Sequence, residues 1–412
     1  MPRNRVNRTG KPGNPEASHE GPGHAPKPPS DPPRLSWFVP TELNWEVYLL
    51  AAVPVAILAS FFAHSAVLNF VAAGVAIIPL AGLMGKATEQ LAHRLGPGVG
   101  GLLNATFGNA AELILALFAL SRGLDNVVKA SLTGSIIGNL LLVLGASLFA
   151  GGLKFPIQRF NRTAAGAGST LMVLATTGLV VPALFHNLVP NAAGLEHRLS
   201  VAVCILLVFT YGLSLIFSLV THRELVSGLK EDVAAAISEA TWGLRHASTI
   251  LVVATVFVAW MSEILVGAVE QTSESLGLNA VFMGVIVVAI VGNAAEHSTA
   301  IIMALKNQMD LAVGIALGSA LQVALFVAPV LVFASYFRSE PMDLLFSTLE
   351  VVAVILAVLV ARMVAEDGES NWLEGAMLLM VYAILGVAFF YLPDHPGHSM
   401  GHAPAAVAVP GG

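Results

Sequence analysis

The sequence predicts an all-α integral membrane protein with eleven transmembrane helices, arranged as one extra N-terminal helix followed by two inverted five-helix repeats. Three observations lead to this fold class. Of the 412 residues, 56% are hydrophobic and only 11% are charged, a composition far outside the range of soluble domains. Apolar segments near the roughly 20 residues that cross a bilayer recur along the chain. Two of them carry the same polar motif, Gly-Asn-Ala-Ala-Glu, beginning at Gly108 and Gly292.

The two ends of the chain differ from the rest in composition. Residues 1–35 include "GKPGNPEASHEGPGHAPKPPSDPP", which is too polar to bury a core and predicts a disordered cytoplasmic tail. The tail lacks the apolar region of a cleavable signal peptide, so the first span is expected to direct insertion. Residues 393–412 are expected to form a flexible C-terminal tail.

Eleven apolar segments follow the N-terminal tail. Residues 45–64 form the extra helix, 66–220 the first repeat and 248–392 the second, and the polar residues 221–247 form a cytoplasmic linker between the repeats. The predicted spans are 45–64, 66–86, 99–121, 126–151, 163–186, 198–220, 248–268, 280–304, 310–335, 343–364 and 373–392.

The distribution of Lys and Arg predicts the orientation. With the N-terminus in the cytoplasm, sixteen of the twenty basic residues lie in cytoplasmic segments, and the exceptions are Arg122, Lys129, Arg198 and Arg338. This bias follows the positive-inside rule. An odd number of spans then places the C-terminus outside, and a prokaryotic cell membrane is the expected location. No dense basic tract suggests a nucleic-acid partner.

The internal repeat is visible in equal spacings. Glu112 and Glu296 are 184 residues apart, and so are the Gly-Ser pairs that end at Ser135 and Ser319. Five spans in each copy force the second copy to enter the membrane upside down. Transporters built this way bind their substrate near the midplane, where equivalent helices of the two halves meet.

Each repeated motif places an amide and a carboxylate on one helix face. Asn109 and Glu112 are separated by three residues, as are Asn293 and Glu296, and this spacing points both side chains in one direction. Gly108 and Gly292 precede the two Asn residues and weaken the helix, which can free carbonyl oxygens to line a cavity. Bringing the two faces together would gather two carboxylates, two amide oxygens and several carbonyls.

The neighbouring polar residues are also oxygen donors. Ser135 and Ser319 follow the two acids by the same interval, with Asn139 close behind in the first half and Gln322 in the second. Such an all-oxygen set favours a hard divalent cation, above all Ca²⁺. His297 leaves a softer ion such as Mn²⁺ or Zn²⁺ open, although it is equally read as a packing residue. Two apposed carboxylates repel each other, so protons and the metal are expected to exclude one another.

Several long segments carry a resemblance to a known family. The stretches "GLLNATFGNAAELI", "ASLTGSIIGNLLLVLG", "MSEILVGAVE", "GNAAEHSTAIIMALKNQMDLAVGIALGSALQVALFVAP" and "DGESNWLEGAMLL" resemble the calcium/proton exchanger family of the cation/calcium antiporter superfamily. The resemblance implies an eleven-span antiporter that moves Ca²⁺ against H⁺ by alternating access. It implies that Glu112 and Glu296 carry the ion, with supporting ligands at Asn109, Asn293, Ser135, Ser319 and Gln322.

Further charged residues are candidates for the ion or proton route. Glu89 and Glu270 match family acids near the ends of spans 2 and 7, with solvated helix ends as the alternative. Glu263 and Glu350 lie in or near spans and are weaker candidates, and His297 lies beside Glu296. Lys129 stands where the resemblance suggests an uncharged polar residue, so its role is left open.

The predicted function is secondary active antiport of Ca²⁺ or another divalent cation for H⁺. The alternative is a sodium-coupled calcium exchanger, which would typically add monovalent sites beside the central one. An enzyme is not expected, because no span contains Gly-x-Ser-x-Gly or His-Glu-x-x-His. A channel is disfavoured because two carboxylates hold a divalent ion too firmly for fast conduction.

The predicted partners follow from this function. They are a divalent cation and the lipid bilayer, with further copies of the chain left open. No cofactor is expected, since Ca²⁺ and H⁺ are the transported substrates.

Overall fold

The computed structural model describes residues 48–63, 65–189, 193–222 and 242–393, and nearly all of them are helical. The predicted tail at 1–35, nearly all of the predicted C-terminal tail and most of the predicted linker lie outside the described residues.

The first half of the chain forms seven helices. They are α1 (Ala52–Phe62), α2 (Ala66–Phe107), α3 (Ala110–Ser121), α4 (Asp125–Ile137), α5 (Leu144–Lys154), α6 (Arg162–Leu188) and α7 (Ala193–Ile216). A π-helical segment, Gly138–Val143, connects α4 to α5, and another, Phe217–Thr221, follows α7. Helix α2 kinks at Gly96, where a φ of 79° requires the left-handed conformation that glycine tolerates.

The second half forms eight helices. They are α8 (Leu244–Leu276), α9 (Ala280–Phe282), α10 (Ala289–Gly292), α11 (Ala294–Leu305), α12 (Met309–Gln322), α13 (Ala328–Ser335), α14 (Thr348–Val364) and α15 (Trp372–Phe390). The π-helical segments Met283–Val288 and Val323–Val327 connect α9 to α10 and α12 to α13. Two short strands, β1 (Gln158–Arg159) and β2 (Glu369–Ser370), pair antiparallel.

The described helices are those of a multi-pass membrane protein. Seven are long and apolar enough to cross a membrane, counting α4 with α5 and α12 with α13 as continuous spans, and a bent pair ending in α11 makes an eighth. The predicted spans 45–64, 99–121 and 343–364 correspond to α1, α3 and α14, which have 11, 12 and 17 residues. These helices are shorter than the roughly 20 residues that a complete crossing needs. The count of eleven spans therefore stays a prediction.

Secondary structure recurs at the spacing found in the sequence. Helices α3 and α11 both contain 12 residues, and they begin 184 residues apart, at Ala110 and Ala294. The π-helical segments behind α4 and α12 end at the same spacing, at Val143 and Val327. Such segments mark functional sites in many helices. The inverted orientation of the two halves stays a prediction.

Helix α4 occupies the middle of the bundle and is fastened to a connecting segment. Lys129 forms an ion pair of 2.5 Å with Asp343, and Asp125 accepts a hydrogen bond of 2.6 Å from Arg338. Both acceptor and donor side chains of the Lys129 pair are mostly buried. Residues 336–347, between α13 and α14, are thus attached to the first turns of α4. This attachment gives Lys129 the structural place that the sequence left open.

Candidate cation-binding site

The candidate site forms where two helices break inside the bundle. The break lies at Asn109 between α2 and α3, and at Asn293 between α10 and α11, where the two halves of the bent pair meet at 59°. Both Asn residues leave helical geometry, with φ of −107° and −99°. The structure therefore breaks each helix one residue after the glycine that the sequence indicated. Glu112 and Glu296 lie in the first turns of α3 and α11, where the helix dipole favours negative charge.

The Glu112 carboxylate has a hydrogen-bond donor on each oxygen. Ser135 donates to Oε1 at 2.5 Å, and Asn109 Nδ2 donates to Oε2 at 2.9 Å. Ser135 lies on α4, so two helices hold the carboxylate. Hydrogen bonds to an ionised group are stronger than neutral ones, and Glu112 is 8% exposed. These contacts fix the carboxylate inside an apolar bundle.

The hydrogen bonds continue from Glu112 into the second half of the chain. Asn293 Nδ2 donates to Ser135 Oγ at 2.9 Å, and Asn293 Oδ1 accepts from Asn139 Nδ2 at 3.0 Å. Asn139 Nδ2 also lies 2.9 Å from Ser319 Oγ. Ser319 Oγ in turn accepts from Asn109 Nδ2 at 3.0 Å.

These contacts close a ring of six side chains that we call the polar ring: Asn109, Glu112, Ser135, Asn139, Asn293 and Ser319. Each half of the chain contributes to it, as the repeated motif predicted. Asn139 is the member that the sequence placed least firmly, because at a spacing of 184 residues it is paired with Val323. Its position four residues after Ser135, on the same helix face, is the signal that identifies it.

Glu296 lies beside this ring but is held differently. It is close enough to Glu112 for the two charges to repel each other. Its Oε2 is buried without a hydrogen-bond partner among the described residues, and so is Oδ1 of Asn139. Buried polar atoms are usually satisfied, so two unpartnered oxygens in one polar cluster fit a site built to coordinate a cation. Nε2 of His297 is also buried without a described partner.

The glycines of the motif allow the halves to approach. A Cβ atom on Gly292 would lie 3.2 Å from Cγ of Glu112, and one on Gly108 would lie 3.0 Å from Oε1 of Gln322. Gly108 therefore brings the Gln322 amide next to the break at Asn109. Within the described ranges, no three His, Cys, Asp or Glu side chains cluster as metal ligands. A cation here would depend on two carboxylates supplemented by amide, hydroxyl and carbonyl oxygens, a set that suits hard cations.

A small cavity adjoins the Glu112 carboxylate. Its volume is about 10 Å³, and its lining includes Glu112, Ser131, Ser135 and Gly292. Such a volume admits about one water-sized particle. The space is therefore scaled to a single ion or water rather than to an organic substrate.

One flank of the site is tightly packed, and we call it the Gly134 interface. It is formed by α4 against residues 280–292. A Cβ on Gly134 would lie 2.2 Å from the Val285 carbonyl oxygen, and one on Gly284 would lie 2.5 Å from Cβ of Ala130. Only glycine permits this approach, so the interface closes the site on this flank.

The corresponding flank of the other half is open, and we call it the Gly318 face. Gly314 and Gly318 of α12 have no atom within 4 Å of an added Cβ. By the same spacing, Gly100 corresponds to Gly284. A Cβ on Gly100 would lie 2.3 Å from the Ala92 carbonyl oxygen, on the part of α2 before its kink. Residues 97–107 thus turn back against α2, and the contact equivalent to the Gly134 interface is not formed.

The remaining candidate residues are dispersed. Glu263 lines a separate cavity with residues of α1, away from those that line the space beside Glu112. Glu89 is partly buried in α2, and Glu270 is exposed on α8. Glu350 is buried and accepts a hydrogen bond of 3.0 Å from Thr133 of α4. The sequence ranked Glu350 low, because its pairing with Thr133 depends on a contact across 217 residues.

With this geometry in place, comparison with known proteins identifies the family. The model of the family described as "Sodium/calcium exchanger protein" matches residues 65–220 and 246–391. The chain belongs to this family. The two matched segments together cover well over half of the chain, and they include every residue of the polar ring.

Relatives with close sequences agree with this assignment. A protein named Ca²⁺/H⁺ antiporter from Aphanothece halophytica is 46% identical over 361 residues, covering 84% of this exchanger-family chain and 96% of the relative. The Ca²⁺/H⁺ antiporter ChaA of Bacillus subtilis is 46% identical over 347 residues, covering 84% of this chain and 98% of its own. The resemblance seen in the sequence is thereby confirmed.

Solved structures share the fold. The structure of native YfkE matches with a TM-score of 0.73 and 44% identity, covering 84% of this chain and 100% of that one. The crystal structure of the H⁺/Ca²⁺ exchanger CAX matches with a TM-score of 0.64 at 14% identity, covering 85% and 93%. The second match shows the fold alone. Together they identify the bundle as that of a membrane exchanger.

Proposed function

We propose that this protein exchanges Ca²⁺ for H⁺ across a membrane, with Glu112 and Glu296 as the shared cation and proton site. The polar ring carries the proposal, because it joins side chains of both halves around one carboxylate and sets a second carboxylate beside it. Relatives named Ca²⁺/H⁺ antiporters, at 46% identity over most of the chain, support the choice of substrates. The protein is then a transporter rather than an enzyme, and it needs no cofactor.

The two carboxylates explain the coupling. A divalent cation between them neutralises both charges, and protons do the same when the cation leaves. Two adjacent charged carboxylates without either would repel each other in a medium that screens charge poorly. Ca²⁺ and H⁺ therefore compete for one site. The unpartnered oxygens of Glu296 and Asn139 are the atoms that we assign to the cation beside Glu112.

The difference between the two flanks supports alternating access. The Gly134 interface closes one route to the site, whereas the Gly318 face leaves the other open. In the opposite state, residues 97–107 would pack on α12 and residues 280–292 would leave α4. With the N-terminus inside, the open flank faces the cytoplasm. Bound Ca²⁺ or protons would permit the exchange of these packings, and an empty, doubly negative site would hinder it.

The experiment is an ion-replacement assay on the full chain reconstituted in vesicles. With an acidic lumen, Ca²⁺ uptake should follow the outward H⁺ gradient, and the lumen should become more alkaline as Ca²⁺ enters. Divalent ions offered singly, including Mn²⁺, then define selectivity. Uptake that ignores the pH gradient but follows a Na⁺ gradient would replace this proposal with the sodium-coupled exchanger.

Competition also predicts how apparent Ca²⁺ affinity varies with pH. Because each bound Ca²⁺ displaces protons, affinity should weaken as the pH is lowered from about 8 to about 6, by up to about tenfold per pH unit for each proton displaced. Initial rates at fixed gradients and varied Ca²⁺ measure this dependence. An apparent affinity that does not change with pH would show that protons and Ca²⁺ occupy separate sites.

A further inference from the structure

A second cavity lies at the end of the bundle where α1 turns into α2. Its volume is about 530 Å³, and helices α1, α2 and α8 line it together with the end of α3. The polar and aromatic side chains on its wall are Phe61, Asn69, Arg122, Trp260, Glu263 and Gln271. Cavities of this size bind small molecules in many proteins. The residues that line it are distinct from those around Glu112.

Arg122 brings a positive charge into this cavity. It is the residue at which α3 ends, and its guanidinium lies over α8, where a Cβ on Gly267 would be 3.1 Å from Nη1. A cation suits the negative end of a helix, and Lys306 stands at the corresponding end of α11. Lys306 lines none of the cavities found among the described residues. Only the first-half cation therefore faces an enclosed space.

Glu263 brings the opposite charge to the same wall. It precedes Gly267 by one helical turn on α8, and Gln271 follows Gly267 by one turn, so all three share a face. Neither Glu263 nor Arg122 forms an ion pair within the described part of the chain. The cavity thus presents one cation and one anion about a helical turn apart, each available to a ligand.

Two more observations restrict that ligand. Oδ1 of Asn69 is buried without a partner among the described residues, so the wall holds an acceptor in need of a donor. Trp260 and Phe61 add aromatic surface, which at membrane interfaces lies near lipid headgroups. A ligand that suits all of these groups carries a phosphate, a hydrogen-bonding ammonium and an apolar body.

We propose that this cavity binds the headgroup of a zwitterionic phospholipid of the phosphatidylethanolamine class. Arg122 binds the phosphate, since a guanidinium donates two parallel hydrogen bonds to phosphate oxygens. Glu263 accepts from the ammonium, and Asn69 Oδ1 is a further acceptor for it. The apolar chains lie along Trp260 and Phe61. The lipid would bridge α1, which lies outside the predicted repeats, to α3 and α8.

Native mass spectrometry of the purified full chain tests this assignment. The delipidated protein is titrated separately with phosphatidylethanolamine, phosphatidylcholine and phosphatidylglycerol. The wild type should retain one phosphatidylethanolamine in preference to the other two, because choline cannot donate a hydrogen bond to Glu263 and glycerol carries no cation. Equal retention of the three lipids, or a preference for phosphatidylglycerol, would overturn the proposal.

Three variants locate the site. Arg122→Gln should weaken phosphatidylethanolamine binding at least about tenfold, whereas Glu263→Gln should remove the preference over phosphatidylcholine. Lys306→Gln, the matched control, should bind as the wild type does. Arg122→Lys retains the charge without the paired donors and should give an intermediate loss, which separates lost binding from misfolding. Unchanged lipid affinity in both Arg122→Gln and Glu263→Gln would contradict the assignment.

Discussion

The two carboxylates of the site occupy matched positions in sequence but not in structure. Glu112 receives hydrogen bonds from Ser135 and Asn109, whereas Glu296 keeps an unpartnered oxygen. The flanks differ in the same way, because Gly134 packs against a backbone carbonyl and its counterpart Gly318 faces open space. A duplicated sequence has thus produced one satisfied, closed half and one unsatisfied, open half.

This difference teaches how a symmetric pattern can serve an asymmetric state. The residues needed for a tight contact are present in both halves, but one packing excludes the other if the site is to be open on one side only. The half that is open here holds the atoms that lack partners. If the halves exchange roles during transport, variants at matched positions should have effects that depend on which state is measured.

The largest effect is expected at the two acids. Glu112→Gln and Glu296→Gln each keep the shape but remove one of the two charges that balance Ca²⁺, so exchange should fall by at least about 100-fold in either variant. Vesicle uptake measures this loss, and exposed Glu366→Gln is the control. If the Glu296 variant transported normally, the unsatisfied carboxylate would not belong to the site.

The glycine pair tests the two flanks. Gly134→Ala forces Val285 away and should destabilise this packing by about 1–3 kcal/mol, lowering both the melting temperature and transport. Gly318→Ala meets no atom in this structure, so its melting temperature should match the wild type. Its transport should nevertheless fall about tenfold if α12 closes on residues 97–107 in the other state.

The Gly318 variant is the decisive member of that pair. Wild-type transport by Gly318→Ala would mean that the open flank never closes as the Gly134 interface does. A lower melting temperature in that variant would instead show that the face is packed in the state that the protein adopts in solution.

A smaller difference is expected between the two serines. Ser135 donates to a carboxylate, whereas Ser319 accepts from two neutral amides. Ser135→Ala should therefore cost about 1.5–3 kcal/mol and weaken apparent Ca²⁺ affinity more than Ser319→Ala, which should cost about 1 kcal/mol. Uptake rates over a range of Ca²⁺ concentrations measure both. The reverse order would show that Glu112 is not the better-held carboxylate during binding.

The smallest effect on transport is expected at Lys129. Its repeat counterpart is the apolar Val313, so the ion pair with Asp343 fastens α4 and not α12. Lys129→Met should lower stability by about 1–3 kcal/mol with little change in transport, and adding Asp343→Asn should restore part of the loss. Thermal melts compare these variants with Arg159→Gln, which breaks an exposed pair. A large loss of transport at normal stability would assign Lys129 to the ion route.

The sequence by itself determined the class of protein and the members of the site. Apolar composition required a membrane bundle, and repeated polar motifs at one spacing identified Glu112, Glu296 and their neighbouring amides, because buried acids in apolar helices need a reason to be there. Five of the six side chains in the polar ring were predicted as cation ligands in this way. Local helix geometry is enough for such residues, since positions three or four apart share a face.

Only the tertiary structure decided how the two halves differ. The contact of Thr133 with Glu350, the pairing of Lys129 with Asp343 and the open Gly318 face depend on groups more than 100 residues apart or on which packing is formed. Nearly equal sequences in the two repeats carry no signal that one flank is closed and the other open. The physical reason is that both packings are available to the same residues, and the choice between them is a property of the folded state rather than of local sequence.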